Sequence, residues 1–202
     1  MPQIITSAQN QYLKRARALL SRRGRAAEGA FLVEGPRALS TVVDAGANIE
    51  AVLIEANATA HEELRARLKA DRVKVELMQP GLLATVMDTD SPQGWLAIVR
   101  SPARVDLTRE RPARVVLVDR VQDPGNLGTI LRTMLGFGLL DIAVIRPAAD
   151  PFEPRVVRAS MGAIFPLRVK QYERFEDYRA EHPSHKLYPF MLDGSVLLET
   201  AA

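Results

Sequence analysis

Hydrophobic and polar positions alternate with a helical period near the start of the chain. From Gln9 to Leu20, apolar side chains recur at helical spacing, which places them on one face of a helix and leaves the arginines on the other. Short apolar runs and helical patterns then follow one another. They predict strands at 31–33, 49–54, 73–77 and 95–99, and helices at 36–46, 61–70 and 82–87. This alternation predicts a small α/β sandwich.

A charged stretch, RSPARVDLTRERPA, interrupts the pattern at 100–113. It contains two prolines and lacks a periodic apolar face, so it is predicted to be a linker. The all-apolar run VVLV at 115–118 then predicts a strand that is buried on both faces of a parallel sheet. Further strands are predicted at 141–145, 164–169 and 187–192, and helices at 127–137, 155–161 and 175–180. The predicted organisation is a first domain over 1–99, a linker over 100–113 and a mostly parallel α/β domain over 114–202.

Composition excludes several kinds of protein. Without cysteine, the chain has neither disulfides nor thiolate zinc sites. The three histidines are scattered along the sequence, so no metal site is predicted. No apolar run is long enough for a membrane helix, and the first residues lack the layout of a signal peptide. These features predict a cytoplasmic protein that does not enter a membrane.

The net charge of +3 is unevenly distributed. No acidic residue precedes Glu28, whereas six cations do: Lys14, Arg15, Arg17, Arg22, Arg23 and Arg25. A second basic group extends from Arg155 to Arg174. Clustered positive charge is typical of a surface that binds a polyanion, although a solvated helix face gives the same pattern.

The segment LVDRVQDPGNLGTILRT, at 117–133, contains the candidate chemistry. A buried strand leads into a turn and then into a helix, and ligands of open α/β sheets bind at such carboxyl ends. Asn126 is placed to cap the helix, to offer its amide to a substrate hydroxyl, or to do both. Arg132 lies almost two turns further on, as a surface ion-pair partner or as a functional group. The glycine spacing fits neither a dinucleotide site nor a phosphate-binding loop.

Three stretches of sequence resemble the SpoU/TrmH branch of the SPOUT RNA methyltransferases. VDRVQDPGNLGTILRT, at 118–133, resembles the first signature motif, and PRVVRASMGAIF, at 154–165, resembles the next one. The stretch at 5–39, which includes EGPR, is similar to the accessory RNA-binding domain of the ribosomal RNA branch. That domain has an L30e-like α/β/α fold, and SPQGWLAIV, at 91–99, resembles its closing strand. The resemblance implies an L30e-like sandwich followed by a SPOUT-type domain.

The resemblance also implies an activity, which is methyl transfer from S-adenosylmethionine to a ribose 2′-oxygen without a metal. Asn126 and Arg132 correspond to active-site residues of the family. Because guanidinium stays protonated, Arg132 is expected to clamp the target phosphate and stabilise alkoxide charge. Ribosomal RNA is favoured over transfer RNA, and a homodimer is expected for the complete fold. The candidate RNA-binding residues are Lys14, Arg15, Arg22, Arg23, Arg37, Arg155 and Arg158.

Two later motifs of the family are not found in the sequence. These are a Gly-Asn-Glu-Gly loop and a Pro-Met loop with a Ser-Leu-Asn helix, which together bind the donor and thread a trefoil knot. The expectation is therefore a chain truncated before the knot, inactive as given, with its donor-binding residues in the missing segments. Two alternatives stay open, namely a non-catalytic RNA-binding protein and a metabolite-binding α/β domain.

Overall fold

Two short helices lie near the N-terminus. The computed structural model of the chain describes residues 3–102, 107 and 114–190. After β1 (Ile4–Ile5), α1 (Gln11–Leu19) is capped by the side chain of Asn10, and α2 (Arg22–Glu28) is capped by that of Ser21. The sequence predicted only the first helix. The second was missed because Ser21, which accepts the N–H of Gly24 at 3.0 Å, restarts the helix without a break in composition.

The N-terminal part continues with β2 (Ala30–Glu34), α3 (Pro36–Asp44), β3 (Ile49–Glu55), α4 (Glu62–Ala70), β4 (Val75–Met78), a 3-10 helix (Leu83–Val86) and β5 (Trp95–Arg100). Its strands form a first, mixed sheet with the order β1-β4-β3-β5-β2. β5 runs antiparallel to both β2 and β3, whereas β4 runs parallel to β1 and β3. The predicted strands are confirmed, with end points shifted by up to two residues.

Helices cover both faces of this sheet. Leu13, Ala16 and Leu19 of α1 are fully buried in one hydrophobic cluster, together with Leu53 and Leu96 of the sheet. The helices α3 and α4 contribute to a second cluster on the opposite face, which contains the buried Trp95. Because alternate residues of a strand point to opposite faces, β3 and β5 supply side chains to both clusters. The predicted α/β sandwich is therefore confirmed.

The C-terminal part contains β6 (Val115–Asp119), α5 (Pro124–Gly136), β7 (Asp141–Ile145), α6 (Pro154–Ala159), β8 (Arg168–Tyr172) and α7 (Phe175–Glu181). Within the described residues, its strands form a second sheet of three parallel strands in the order β6-β7-β8. The strand predicted at 164–169 is wrong. Ile164 and Leu167 are buried, but in turns that precede β8, and β8 begins only where Arg168 reaches the Asp141 carboxylate, with Nη2 to Oδ2 at 2.7 Å.

The strand predicted at 187–192 and the linker predicted at 100–113 are only partly covered by the described residues. Residues 187–190 form no strand, and 191–192 lie outside the described residues. Most of the predicted linker at 100–113 also lies outside them.

The helix α6 joins the two sheets. Val157 is buried in the same cluster as Trp95, and Phe152 and Phe165 pack against that cluster. The ring of Phe31 in β2 lies 5.1 Å from that of Phe152. The C-terminal part of the chain thus completes the hydrophobic core of the N-terminal part.

Candidate functional site

The loop between β6 and α5 presents the segment in which the sequence concentrates its candidate chemistry. The helix begins at Pro124, and its N-cap is Asp123, whose Oδ1 accepts the N–H of Asn126 at 2.7 Å. Asn126 is therefore the third residue of the helix, and the N-cap interpretation of Asn126 is wrong. A carboxylate three residues earlier performs the capping, which leaves the Asn126 amide for other contacts.

Asn126 and Arg132 both lie on the exposed side of α5. Among the described residues, neither side chain has a hydrogen-bond or ion-pair partner. The opposite side of α5 is buried through Leu127, Gly128, Leu131 and Met134. Arg132 follows Asn126 by six positions, which corresponds to about 9 Å along the helix axis and places the two side chains on different parts of the exposed side.

The start of α5 lies at the carboxyl edge of the second sheet. The loops that follow β6 and β7 are joined there, since Ala149 N donates to Val121 O at 2.9 Å and Arg120 N donates to Ile145 O at 3.2 Å. Ligands of open α/β sheets bind at this kind of edge.

Close packing fixes α5 against α6. A Cβ atom at Gly128 would lie 2.4 Å from Ala159 Cβ and 2.8 Å from the Ala159 carbonyl carbon. The two helices approach each other so closely that only glycine fits at this position. The position of Asn126 and Arg132 thus depends on the contact between α5 and α6.

Three of the candidate RNA-binding cations are exposed and have no ion-pair partner among the described residues. They are Lys14 on α1, Arg23 on α2 and Arg37 on α3. Arg37 also lines a cavity of about 310 Å³ between α3 and α4, together with Ser40, His61 and Arg67. These three cations are available to an external anion.

The other four candidate cations form bonds within the chain. Arg15 pairs with Glu28 at 3.0 Å and also with Glu50. Arg22 donates to Gln171 Oε1 at 2.8 Å. Arg155 and Arg158 contact the N-terminal part of the chain, Arg155 through Asp88 at 3.0 Å and Arg158 through Glu34 at 2.8 Å. Their contact with RNA stays a prediction.

Glu34 is a buried carboxylate between the two parts of the chain. Its Oε1 accepts Asp88 N at 2.8 Å, and its Oε2 accepts Arg158 Nη1 at 2.8 Å. Burial raises the pKa of the Glu34 carboxyl, against the opposing influence of these two donors. The glutamate of EGPR thus connects β2 to α6.

Sequence reasoning missed several of the residues that join the two parts. Arg25 is buried and forms an ion pair with Asp150 at 2.8 Å. Gln171 accepts hydrogen bonds from both Arg22 and Arg146. In the sequence, Arg25 looks the same as the neighbouring exposed arginines. Its partner lies 125 positions away, so no local signal identifies the pair.

Two further properties concern the described residues only. None of their helices is long and apolar enough to cross a membrane. No group of three or more histidine, aspartate or glutamate side chains in this part of the chain is arranged to hold a metal ion.

Comparison with known proteins matches both parts of the chain. Residues 113–199 match the SpoU rRNA Methylase family, and residues 10–97 match the MRM3-like substrate binding domain. An uncharacterized tRNA/rRNA methyltransferase of Synechocystis sp. is 34% identical over 177 residues, which cover 84% of this chain and 62% of that protein. The 23S rRNA (uridine(2479)-2′-O)-methyltransferase of Streptomyces viridochromogenes is 33% identical over 167 residues, which cover 80% and 58%.

A solved structure is similar over most of the chain. The AdoMet-bound rRNA methyltransferase from Sinorhizobium meliloti has a TM-score of 0.75 and 28% identity, and the match covers 90% of this chain and 69% of that one. This chain spans about three-fifths of the length of the two curated relatives.

Proposed function

This chain belongs to the SpoU family of rRNA methylases, and we propose that it takes part in S-adenosylmethionine-dependent methylation of a ribose 2′-hydroxyl in structured RNA. Ribosomal RNA is favoured over transfer RNA, because the relatives include a 23S rRNA 2′-O-methyltransferase. One observation supports the proposal most strongly. Asn126 lies exposed in the first turn of α5, at the carboxyl edge of the second sheet, and Arg132 lies exposed further along the same helix. Neither side chain has a partner among the described residues, and both belong to a segment that resembles the family's first motif.

S-adenosylmethionine, when bound, supplies an electrophilic methyl group. An adenine ring needs a largely apolar slot, with a few polar groups that orient it. The described residues at the carboxyl edge instead carry ion pairs, Arg120 with Asp119 and Arg146 with Glu173. They do not fit the donor by themselves, so no donor-binding residue is assigned among them.

Arg132 is proposed to act on the ribose side of the reaction. A 2′-hydroxyl is a weak nucleophile until it loses its proton, and negative charge then develops on its oxygen. Because guanidinium stays protonated, Arg132 stabilises this charge and holds the adjacent phosphate, and an oxygen of that phosphate, not Arg132, accepts the proton. Asn126 has both a donor and an acceptor on its amide, so it is suited to orient the ribose hydroxyl.

The N-terminal part is proposed to hold the RNA. Lys14, Arg23 and Arg37 are the leading candidates because they are exposed cations without a partner among the described residues. Arg15, Arg22, Arg155 and Arg158 are weaker candidates, because phosphate must compete there with bonds inside the chain. The proposal places the RNA-binding domain at 1–99, the linker at 100–113 and the methyltransferase domain at 114–202.

A homodimer in the cytoplasm completes the proposal. The homodimer rests on the family resemblance, and the cytoplasmic location rests on the cysteine-free composition. Sedimentation equilibrium of the intact gene product tests the dimer, and cell fractionation tests the location.

The test of activity uses the intact gene product that contains these residues, with tritium-labelled S-adenosylmethionine and ribosomal RNA. Arg132→Ala is expected to lower methyl transfer by about 10²–10³-fold, as loss of one donor to a developing oxyanion does. Arg132→Lys is expected to recover little, because a point charge does not reproduce a bidentate clamp. RNA affinity, measured in parallel, should change by less than about tenfold.

Arg174→Ala is the matched control, because Arg174 is exposed and pairs only with the nearby Asp177 among the described residues. Methyl transfer by this control should equal that of the unsubstituted protein. Unchanged transfer by the Arg132→Ala variant would contradict the catalytic assignment. RNA binding without any methyl transfer by the unsubstituted protein would instead favour a non-catalytic RNA-binding protein.

A further inference from the structure

Two guanidinium groups from distant parts of the chain meet at the carboxyl edge of the second sheet. Arg22, the first residue of α2, donates through Nη2 to Gln171 Oε1 at 2.8 Å. Arg146, which follows β7, donates through Nη2 to the same oxygen at 3.4 Å. One neutral amide oxygen is thus shared by two positive charges.

Each of these arginines also has a buried donor that is unsatisfied. Among the described residues, no acceptor lies within hydrogen-bond distance of the Nε of Arg22 or the Nε of Arg146. A buried donor without a partner is destabilising, and most such groups in native proteins are satisfied. Two such donors around one neutral amide show that the polar groups of the cluster are only partly satisfied within the described residues.

Of the nearby carboxylates, one is engaged by another arginine and one pairs with Arg146 from an exposed position. Asp150 is engaged by Arg25, whose Nε and Nη2 both donate to Oδ2, at 2.9 and 2.8 Å. Glu173 pairs with Arg146 through Nη1, but its side chain is 70% exposed and can swing away into solvent. Burial raises the pKa of the Glu153 carboxyl, and the positive charges of Arg25, Arg155 and Arg22 oppose this shift.

We propose that Arg22 and Arg146 together bind one phosphodiester group of the RNA, as a subsite formed between α2 and the second sheet. The proposal rests on the proposed function, because it presumes that RNA is the ligand. Two planar guanidinium groups match the tetrahedral oxygens of a phosphate and supply charge-assisted hydrogen bonds. The location is consistent with this role, since Arg22 Nη1 lies 3.5 Å from Ala148 O, next to the bond that joins Ala149 to Val121 before α5. RNA held there lies on the same edge as Asn126.

The test is the salt dependence of RNA binding by the full chain. A fluorescein-labelled ribosomal RNA hairpin is titrated with the unsubstituted protein, with Arg22→Gln, with Arg146→Gln and with the double variant. Each phosphate contact contributes about 0.9 to the slope of log affinity against log salt on duplex RNA. In each single variant the magnitude of the slope should fall by about one unit, which is the contribution of one phosphate contact. The double variant should lose no more than the singles, because both arginines hold the same phosphate.

Two control variants separate charge from structure. Arg174→Gln removes an exposed cation that follows β8 at the same end of the second sheet but pairs with Asp177, and it should leave the slope unchanged. Gln171→Ala removes the same contacts within the chain but keeps both charges, so it should retain the slope. Slopes of Arg22→Gln and Arg146→Gln equal to that of the unsubstituted protein would overturn the subsite while leaving the proposed function intact. Failure of the unsubstituted protein to bind RNA would overturn both.

A third measurement distinguishes RNA from a free anion. Thermal unfolding is followed in sodium phosphate and in sodium chloride of equal ionic strength. Because a site for a phosphodiester also accepts free phosphate, stabilisation by phosphate that is lost in Arg146→Gln, together with reduced RNA slopes, supports the assignment to RNA. Stabilisation by phosphate that requires Arg146, together with unchanged RNA slopes, would assign the site to a free anion and overturn the assignment to RNA.

Discussion

Arg25 and Asp150 form a buried ion pair that connects α2 to the loop after β7. Their side chains are 5% and 8% exposed, and the contact distance is 2.8 Å. Arg25 Nη1 also donates to the carbonyls of Leu19 and Leu20, both at 2.9 Å, where α1 ends. Asp150 Oδ1 accepts the N–H of Phe152 at 3.0 Å. The pair therefore joins the end of α1 to the second sheet with nearly every polar atom satisfied.

Removal of one charge of this pair is expected to be costly. Asp150→Asn leaves the Arg25 guanidinium buried without its counter-charge, which typically lowers the free energy of unfolding by about 3–5 kcal/mol. Urea denaturation followed by circular dichroism measures the change. Asp44→Asn is the matched control, because the Asp44–Arg67 pair is exposed and should contribute less than about 1 kcal/mol. Equal losses of free energy of unfolding in the two variants would show that the buried pair stabilises the protein no more than the exposed pair does.

Two glycines of α5 should respond in opposite directions to alanine. Gly128→Ala places a methyl group 2.4 Å from Ala159 Cβ, so the helices must separate, and we expect a loss of about 1–3 kcal/mol. A Cβ at Gly136 meets nothing within 4 Å, so Gly136→Ala should stabilise the helix by up to about 1 kcal/mol. Thermal unfolding of both variants checks whether Gly128→Ala lowers the stability and Gly136→Ala raises it. A neutral Gly128→Ala would mean that α5 and α6 are free to move apart.

Helical periodicity and short apolar runs predicted most of the regular elements, because the helices bury one face and most of the strands bury both. The strands β2, β3, β5, β6 and β7 were all found in this way. The β8 prediction failed for a physical reason. Ile164 and Leu167 are as buried as strand residues, but they fill space beneath the helices from turns, and periodicity cannot distinguish the two cases over so few residues.

The site was only partly predictable. The motif placed Asn126 at the start of a helix and Arg132 almost two turns along it, and α5 begins close to the expected position. Choosing between Asp123 and Asn126 as the cap required the helix boundary, which sequence patterns locate poorly. The side-chain partners of Arg22, Arg25, Arg155 and Arg158 lie at least 67 positions away, so folding alone decides which cations are left for RNA.

Glu34 should make stability depend on pH in a defined direction. Burial raises its pKa above the ordinary glutamate value of about 4.3, so the folded state holds the proton more tightly than the unfolded state does. The associated stability is fully present below the unfolded pKa and is lost as pH rises through the raised folded pKa. Relative to Glu34→Gln, the unsubstituted protein should therefore lose free energy of unfolding across that window. Urea denaturation across the acidic range measures the free energy of unfolding of both proteins. A free energy of the unsubstituted protein that rises with pH relative to that of Glu34→Gln would contradict the predicted direction.

The two parts of the chain should unfold together, although the sequence alone favours an N-terminal domain that folds independently. Val157 of α6 completes the cluster around Trp95, and Asp150 satisfies Arg25 from the opposite part, so loss of the second sheet exposes both. Trp95 is the single tryptophan, and its fluorescence reports the first sheet.

We expect Trp95 fluorescence and hydrogen exchange of the β7 amides to give the same urea midpoint, because coincident probes indicate one cooperative transition. Asp150→Asn should lower both midpoints equally, since it weakens the contact that the two parts share. A Trp95 transition that persists at urea concentrations where β7 already exchanges freely would show that the first sheet is stable alone. In that case the shared core around Val157 would contribute little to folding, and the orientation of α5 relative to the N-terminal cations would not be fixed by it.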